Sequence, residues 1–311
     1  MIERPLAFVT GISTLVTLLA YGGRWFWFCE LLVTFRTHCA LVLGLILVLV
    51  LVARLWRIGA IALVALALNV WPMLGVWFAH ERAIPASAVP LRLVEFNVLV
   101  RNTDLRGIAS YLESIAPDVV VLEEVTASSG ERLVSLLPRF PHHYLAVDDG
   151  VRGILVLSRW PLLDPKTLPQ GRGLYGVRAD VDLGDRRLRL YGLHLNWPLT
   201  PDAAMGRNEQ LPALARELAA CRGACVAVGD FNTVPWSSHW RDLLKVSEFS
   251  DCAAGRGFLP TWHAGLPAPL RIRIDHCLVS SAVSVVDVRL GKAIGSDHLA
   301  TINDLALPMG P

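Results

Sequence analysis

Gly229-Asp230-Phe231-Asn232 is the stretch on which the fold is decided, and Gly295-Ser296-Asp297-His298 answers it near the C-terminus. The apolar run Val226–Gly229 is of strand type, so it delivers Asp230 and Asn232 to a strand end. One Asp-x-Asn tripeptide is weak evidence, because such residues also form ordinary Asx turns. Four more segments share the design: Glu95-Phe96-Asn97, Leu122-Glu123-Glu124-Val125, Tyr191-Gly192-Leu193-His194-Leu195-Asn196 and Arg273-Ile274-Asp275-His276. Each opens on an apolar run and closes on Asn, Asp, Glu or His, as sites built at strand ends do.

These residue types narrow the chemistry. The chain has no Gly-x-Ser-x-Gly elbow, no phosphate-cradling Gly-x-x-x-x-Gly-Lys loop and no Cys/His zinc pattern. Carboxylate and amide oxygens with two or three histidines suit a hard cation such as Mg²⁺ acting on a phosphate. Metal and imidazolium would neutralise a pentacovalent phosphorus while a carboxylate aligns the attacking water.

Composition divides the 311 residues in two. The chain is 53% hydrophobic overall, too apolar for an ordinary soluble protein. Residues 1–90 hold six Lys/Arg and three Asp/Glu, whereas 91–311 hold 23 and 24, a formal charge of −1. Leu6–Tyr21, Leu41–Ala53 and Ile58–Phe78 are uncharged stretches. A bilayer core takes ~20 helical residues and ~17 at the short end, so three transmembrane helices are expected at about 6–22, 38–54 and 58–78. The Trp/Phe-rich Arg24–Arg36 segment reads as an interfacial connector. Arg54 and Arg57 mark the turn between the second and third spans as cytoplasmic, which sends the following domain outward. A cleaved signal peptide is disfavoured, because no small-x-small site precedes a polar start.

His80–Pro90 reads as a linker, leaving 91–311 as the catalytic domain and 1–80 as the membrane region. Within the domain, strands are expected at 91–99, 119–122, 153–158, 176–182, 187–195, 226–229, 271–279 and 283–290. Helices are expected at 105–115 and, with Pro212 inside it, 207–220. His142 and His143 read as solvated residues of a proline-flanked loop. The fold class is α/β, a mixed-sheet sandwich.

Taken in order and spacing, the six segments resemble the endonuclease/exonuclease/phosphatase superfamily, the DNase I-like fold, over about residues 91–306. The resemblance implies a four-layer mixed-sheet α/β sandwich and a metal-dependent phosphoric ester hydrolase using Mg²⁺ or Mn²⁺. It implies Glu124 as principal metal ligand, with Asn97 and Asp297 beside the metal. His194 should meet the scissile phosphate or leaving oxygen, Asp230 the nucleophilic water, and Asn232 the phosphate oxygens. His298 should contact the phosphate or act as base, with Asp275 fixing its tautomer; the proton acceptor stays open between Asp230 and His298. Glu123 stands where glutamine is commoner, and is expected to face solvent rather than add a metal contact. His276 should point to the opposite face of its strand.

The substrate is read from three features. The domain has no basic run except Arg186-Arg187-x-Arg189 in a hairpin turn, against the footprint of a DNA-binding enzyme. Trp197 and Trp236 are expected to put an indole beside the site, with Trp240 and Trp262 as candidates to extend an aromatic rim suited to a lipid; packing of these indoles into their loops is the alternative. Three spans keep the enzyme at a bilayer. The N-terminal spans, Val234-Pro235-Trp236-Ser237 and Arg273-Ile274-Asp275-His276 also resemble VanJ-type bacterial membrane phosphatases, which implies undecaprenyl pyrophosphate as a candidate substrate. An extracytoplasmic nuclease and a catalytically silent membrane interaction module are the alternatives. The bilayer and a phosphorylated, lipid-linked substrate are the expected partners, nucleic acid less so; no protein partner can be deduced. Cys221 and Cys225 are close enough in sequence for a local disulfide, while Cys277 is expected as a buried free thiol.

Overall fold

Long Leu- and Ala-rich stretches favour helix, and the N-terminal third is helical. In the computed structural model, which describes residues 2–78, 84–85, 87–147, 152–168 and 174–308, four helices open the chain: α1 (Glu3–Ala20), α2 (Trp27–Thr34), α3 (Arg36–Val52) and α4 (Trp56–Val70). With their 3₁₀ extensions, Glu3–Arg24 and Trp56–Val76 are each long and apolar enough to cross a membrane; α2 and α3 make a third crossing only as a pair bent by 59°. The segment read as an interfacial connector is therefore largely helical. Of the expected linker, residues 80–83 and 86 lie outside the described residues, and Val89 already belongs to a strand.

Beyond it run β1 (Val89–Asn97), α5 (Leu105–Ile115), β2 (Val119–Glu123), α6 (Ala127–Leu136), β3 (His142–Ala146), β4 (Ile154–Ser158), β5 (Leu162–Leu168), β6 (Gly176–Asp182) and β7 (Arg187–His194). Then follow α7 (Pro201–Ala219), β8 (Ala224–Asp230), α8 (Ser238–Ser247), β9 (Ser250–Asp251), β10 (Asp275–Val279), β11 (Ser284–Leu290) and β12 (Thr301–Leu307). They form two six-stranded mixed sheets, ordered β11-β12-β1-β2-β4-β3 and β5-β6-β7-β8-β10-β9. The pairs β1/β2 and β7/β8 are parallel, and the other pairs antiparallel. His142 and His143, expected in a loop, sit in β3.

Three apolar layers hold the sandwich. Leu93, Val121, Val156, Leu188, Val226 and Val228 pack between the sheets. Phe96, Ile108, Leu112, Leu122 and Leu133 fill the space under α5 and α6, while Leu193, Leu211, Leu214, Ala227 and Trp240 do so under α7 and α8. The order is helix, sheet, sheet, helix, the four-layer sandwich the resemblance implied. Side chains alternate across a strand with period two, so residues an even number of positions from an inter-sheet core residue share its face. Leu93 carries Glu95 and Asn97 inward, Leu190 carries His194, and Val228 carries Asp230. Cys277 carries Asp275.

The N-terminal helices are not a detached anchor. Glu30 of α2 and Arg207 of α7, 3% and 2% exposed, form an ion pair at 3.3 Å, and Ser237 Oγ donates to the same Glu30 oxygen at 2.6 Å. Trp236 Nε1–H donates to the Val33 carbonyl at 2.8 Å. Gly255 N–H reaches the Val76 carbonyl at 3.0 Å, and Arg24 meets Asp242 at 2.8 Å.

Candidate active site

Strand register assembles the centre. Asp230 at the end of β8 stands opposite His194 of β7 on one side and Asp275 of β10 on the other. Three neighbouring strands thus bring three polar side chains to one level on the inter-sheet face. Gly229 makes this approach possible: its φ is +148°, and a Cβ there would sit 1.8 Å from the Leu193 carbonyl oxygen. That close contact is the physical content of the glycine in Gly-Asp-Phe-Asn.

The other sheet supplies Asn97 and Glu124. Glu124 follows β2 with φ +58°, a left-handed turn rare for such a residue, which aims its carboxylate back at β1. Asn97 Nδ2 donates to Glu124 Oε1 at 3.0 Å and to Asp230 Oδ2 at 3.4 Å, and so ties the two sheets together. Glu124 Oε2 accepts from Val100 N–H at 3.0 Å. The Gly295–His298 loop closes the edge. Ser296 Oγ donates to the Asn97 carbonyl at 2.7 Å and accepts from His298 N–H at 3.0 Å.

His298 Nδ1 faces both oxygens of Asp275 at 2.9 and 3.0 Å, and its Nε2 lies 3.8 Å from Asp230 Oδ2. His194 Nε2 lies at the same 3.8 Å from that oxygen. Asp230 Oδ1 accepts from Asn232 N–H at 2.8 Å. The structure therefore gathers Asn97, Glu124, His194, Asp230, Asp275 and His298. Asp297 adjoins them in sequence, with Oδ2 accepting from Trp262 Nε1–H at 3.0 Å. Asn232 adjoins Asp230: its side-chain amide donates to the Leu195 carbonyl at 3.0 Å and its backbone carbonyl accepts from Arg207 at 2.8 Å.

Burial governs the protonation here. Burial opposes charge on His298, but the adjoining Asp275 carboxylate outweighs it and raises the imidazole to about 10. Asp230 is raised to about 8 by burial and by the negative Asp275. Burial lowers His194 to about 4, leaving it neutral. Behind them Glu95 and Glu123 are pushed well above the carboxylate range, by burial first and then by acidic neighbours.

Two expectations are corrected by this packing. Glu123 does not face solvent; β2 is covered on both faces, and the residue is fully buried. Nor do four indoles rim the site: Trp236 and Trp240 are 2% and 1% exposed, Trp262 is half-buried against Asp297, and Trp197 projects, at 58%. Trp240 stacks on His276 at 4.0 Å, in the layer under α7 and α8. His276 is accordingly a packed histidine, its Nε2 2.8 Å from the Thr233 carbonyl. Sequence reasoning also missed Thr261, whose Oγ1 accepts from the Asp275 N–H at 3.3 Å, and the link from Trp262 to Asp297. A lone Thr and a lone Trp in a loop carry no signal of such contacts.

A model of the endonuclease/exonuclease/phosphatase family matches residues 94–298. The chain belongs to this family. The fold agrees with solved structures. An endonuclease/exonuclease/phosphatase from Beutenbergia cavernae is 24% identical with a TM-score of 0.59, over 71% of this chain and 72% of that one. One from Bacteroides vulgatus is 17% identical with a TM-score of 0.58, over 71% and 100%. D. rerio TDP2, solved with a single-strand DNA product, is 20% identical with a TM-score of 0.59, over 70% and 98%. No curated protein matches the chain.

The donor set of this family member fits a divalent cation. Asp297 Oδ1 and His194 Nδ1 are buried without a hydrogen-bond partner, an arrangement that proteins keep where a ligand completes it. Asp230, Asp275 and His298 form a buried group whose ligand atoms all lie within 4.8 Å of one another. Carboxylate and amide oxygens select hard cations.

Proposed function

We propose that this family member is a membrane-anchored, Mg²⁺-dependent phosphoesterase that hydrolyses a lipid-linked phosphate or diphosphate, with undecaprenyl pyrophosphate as the first substrate to test. The observation that carries the reading is one chain of contacts. Asn232, beside Asp230, gives its carbonyl to Arg207, and Arg207 pairs with Glu30 in a helix among apolar neighbours. The hydrolytic centre is thereby built onto helices suited to lipid.

Glu124, Asn97 and Asp297 would hold a Mg²⁺ or Mn²⁺ ion, which when bound neutralises charge on the phosphate oxygens. The chain's own groups do the rest. His298, charged at neutral pH, presents Nε2–H to a phosphate oxygen while Asp275 holds its other nitrogen. Because His298 already carries its proton, the acceptor from the attacking water is the ionised form of Asp230, whose carboxyl is raised to about 8. Neutral His194 offers a hydrogen bond to the leaving oxygen. Glu95 and Glu123, held protonated, add no further negative charge where an anion must bind.

The domain faces outward in this reading. The positive Arg54–Arg57 turn supports it, as do the disulfides Cys221–Cys225 and Cys252–Cys277, which persist in oxidising compartments. Cys277 is thus paired rather than free. A membrane-impermeant maleimide should label a reporter cysteine near Pro85 and spare one placed in the Arg54–Arg57 turn.

The competing reading is a nuclease, since D. rerio TDP2 was solved with DNA product; the −1 charge of residues 91–311 weighs against it. Phosphate release by the detergent-solubilised enzyme separates the two. Polyprenyl diphosphate should be hydrolysed and EDTA should stop it, with phosphatidylinositol phosphates, sphingomyelin and plasmid DNA compared alongside. Plasmid cleavage without lipid phosphate release would overturn the proposal.

A further inference from the structure

A cavity of about 640 Å³ opens between α3, the end of α4 and the catalytic domain. Its walls include Leu41, Gly44, Leu66 and Met73 from the helices, and Trp236 and Phe258 from the domain. The size falls in the ~300–1,000 Å³ range of small-molecule sites, and the walls are almost wholly apolar. Such a void beside well-packed neighbours forfeits dispersion contacts unless something fills it.

We propose that this groove receives the hydrocarbon chain of the substrate lipid, so that the N-terminal helices form part of the substrate site. The inference rests on the lipid-phosphoesterase reading and adds to it where the chain lies. Three observations argue for it. The groove is continuous with the helix–domain interface, because Trp236 both lines it and bonds the Val33 carbonyl. Its helical walls are α4 with its extension, apolar enough to span a bilayer, and α3, which is so as part of the bent pair; in a bilayer the open side would meet hydrocarbon rather than water. Finally, Trp236, Met73 and Phe258 share one apolar cluster with Ile274 and Trp262. Ile274 precedes Asp275, and Trp262 donates to Asp297. A lipid whose chain fills the groove therefore has its phosphate end directed along this cluster to the catalytic edge.

Gly44 allows a direct test, since a Cβ added there meets no atom within 4 Å. Gly44→Phe should enter open space rather than break packing. Gly11 of α1 is equally unobstructed and does not line the groove, so Gly11→Phe is the control. The probe is a long-chain alkyl diphosphate with a diazirine near its chain end, in phospholipid–detergent micelles with the full-length protein. Photolabel should map to groove residues such as Met73 and Leu41. Gly44→Phe should remove it and lower the long-chain to short-chain turnover ratio about ten-fold, the order expected for losing two buried methylenes. Gly11→Phe should change neither.

Label confined to the outer helix faces would overturn the groove assignment, as would equal groove labelling by a diazirine phospholipid of the micelle. Hydrolysis of the probe in those cases would leave the lipid-phosphatase reading standing. Groove labelling without phosphate release would support the groove and refute that reading.

Discussion

Two buried polar clusters in this molecule obey opposite rules of charge. At the helix–domain interface one acid, Glu30, meets one base, Arg207, with the Ser237 hydroxyl on the shared oxygen. At the catalytic edge Glu95, Glu123, Glu124, Asp230, Asp275 and Asp297 outnumber His194 and His298. The balanced pair fixes a position. The unbalanced group pushes Glu95 and Glu123 toward their neutral forms and holds one imidazole charged. Excess acid at a buried site is useful only where protons, a cation or an anion come and go; balance is what docking needs.

The difference should show most sharply when one partner is removed from each. At the catalytic edge, Glu124→Gln should cut turnover ~10³-fold while the domain stays folded. Full activity in EDTA would deny the metal its place. Asp275→Asn should cost on the order of 10²–10⁴ in turnover without changing the metal concentration for half-activation. Wild-type rates in that variant beside an inactive His298→Ala would dissolve the pairing.

At the interface the expected readout is stability. Glu30→Gln strands the Arg207 guanidinium, and leaving one buried charge unpaired costs ~3–5 kcal/mol. Glu30→Gln with Arg207→Met should lose less than the two single losses together, because the pair is coupled. Strict additivity in thermal unfolding would show that the two do not interact.

A pH series distinguishes the clusters further. His298 is raised from 6.5 to about 10 in the fold. Its charged form therefore contributes stability fully present below about 6.5 and lost as pH rises through about 10. Turnover should fall on that alkaline limb, and Asp275→Asn should move the limb toward neutrality. An unmoved limb would assign it to another group. The smallest effect belongs to the disulfides. The Cys252–Cys277 pair closes a separation of 25 residues and Cys221–Cys225 one of 4. Chain entropy makes loss of the shorter one milder by ~1.5 kcal/mol, measurable as a smaller fall in Tm for Cys221→Ser than for Cys252→Ser.

Much of the domain could be read directly. The strands that end in chemistry announce themselves as apolar runs closing on polar residues, and α5 spans the 105–115 expected from its apolar spacing. What escaped has physical reasons. β5 (LLDPKTL) carries a proline, tolerated because it is an edge strand. β12 (TINDLAL) breaks alternation with Asn303 and Asp304, one fully buried and one paired with Arg92 and Arg289. β3 lies just after Pro141 and so resembled a loop. Within the site, the residue types and their order were legible, and register then explains their meeting. The role of Glu123 was not, since a sequence does not say that a strand is covered on both faces. Glu30 and Arg207 stand 177 positions apart, and nothing local in either announces the other.

The Trp236–Val33 bond, the Glu30–Arg207 pair and the Gly255–Val76 bond together pin the catalytic domain to its helices at separated points. A body fastened in this way cannot swing like a tethered ball. Its working edge is held at a fixed position relative to the helices. With those helices in a bilayer, as proposed, its encounters would be counted per unit area of surface rather than per unit volume of solution. Crowding the surface with substrate should speed the enzyme, and diluting that surface with inert lipid should slow it, at constant total substrate concentration.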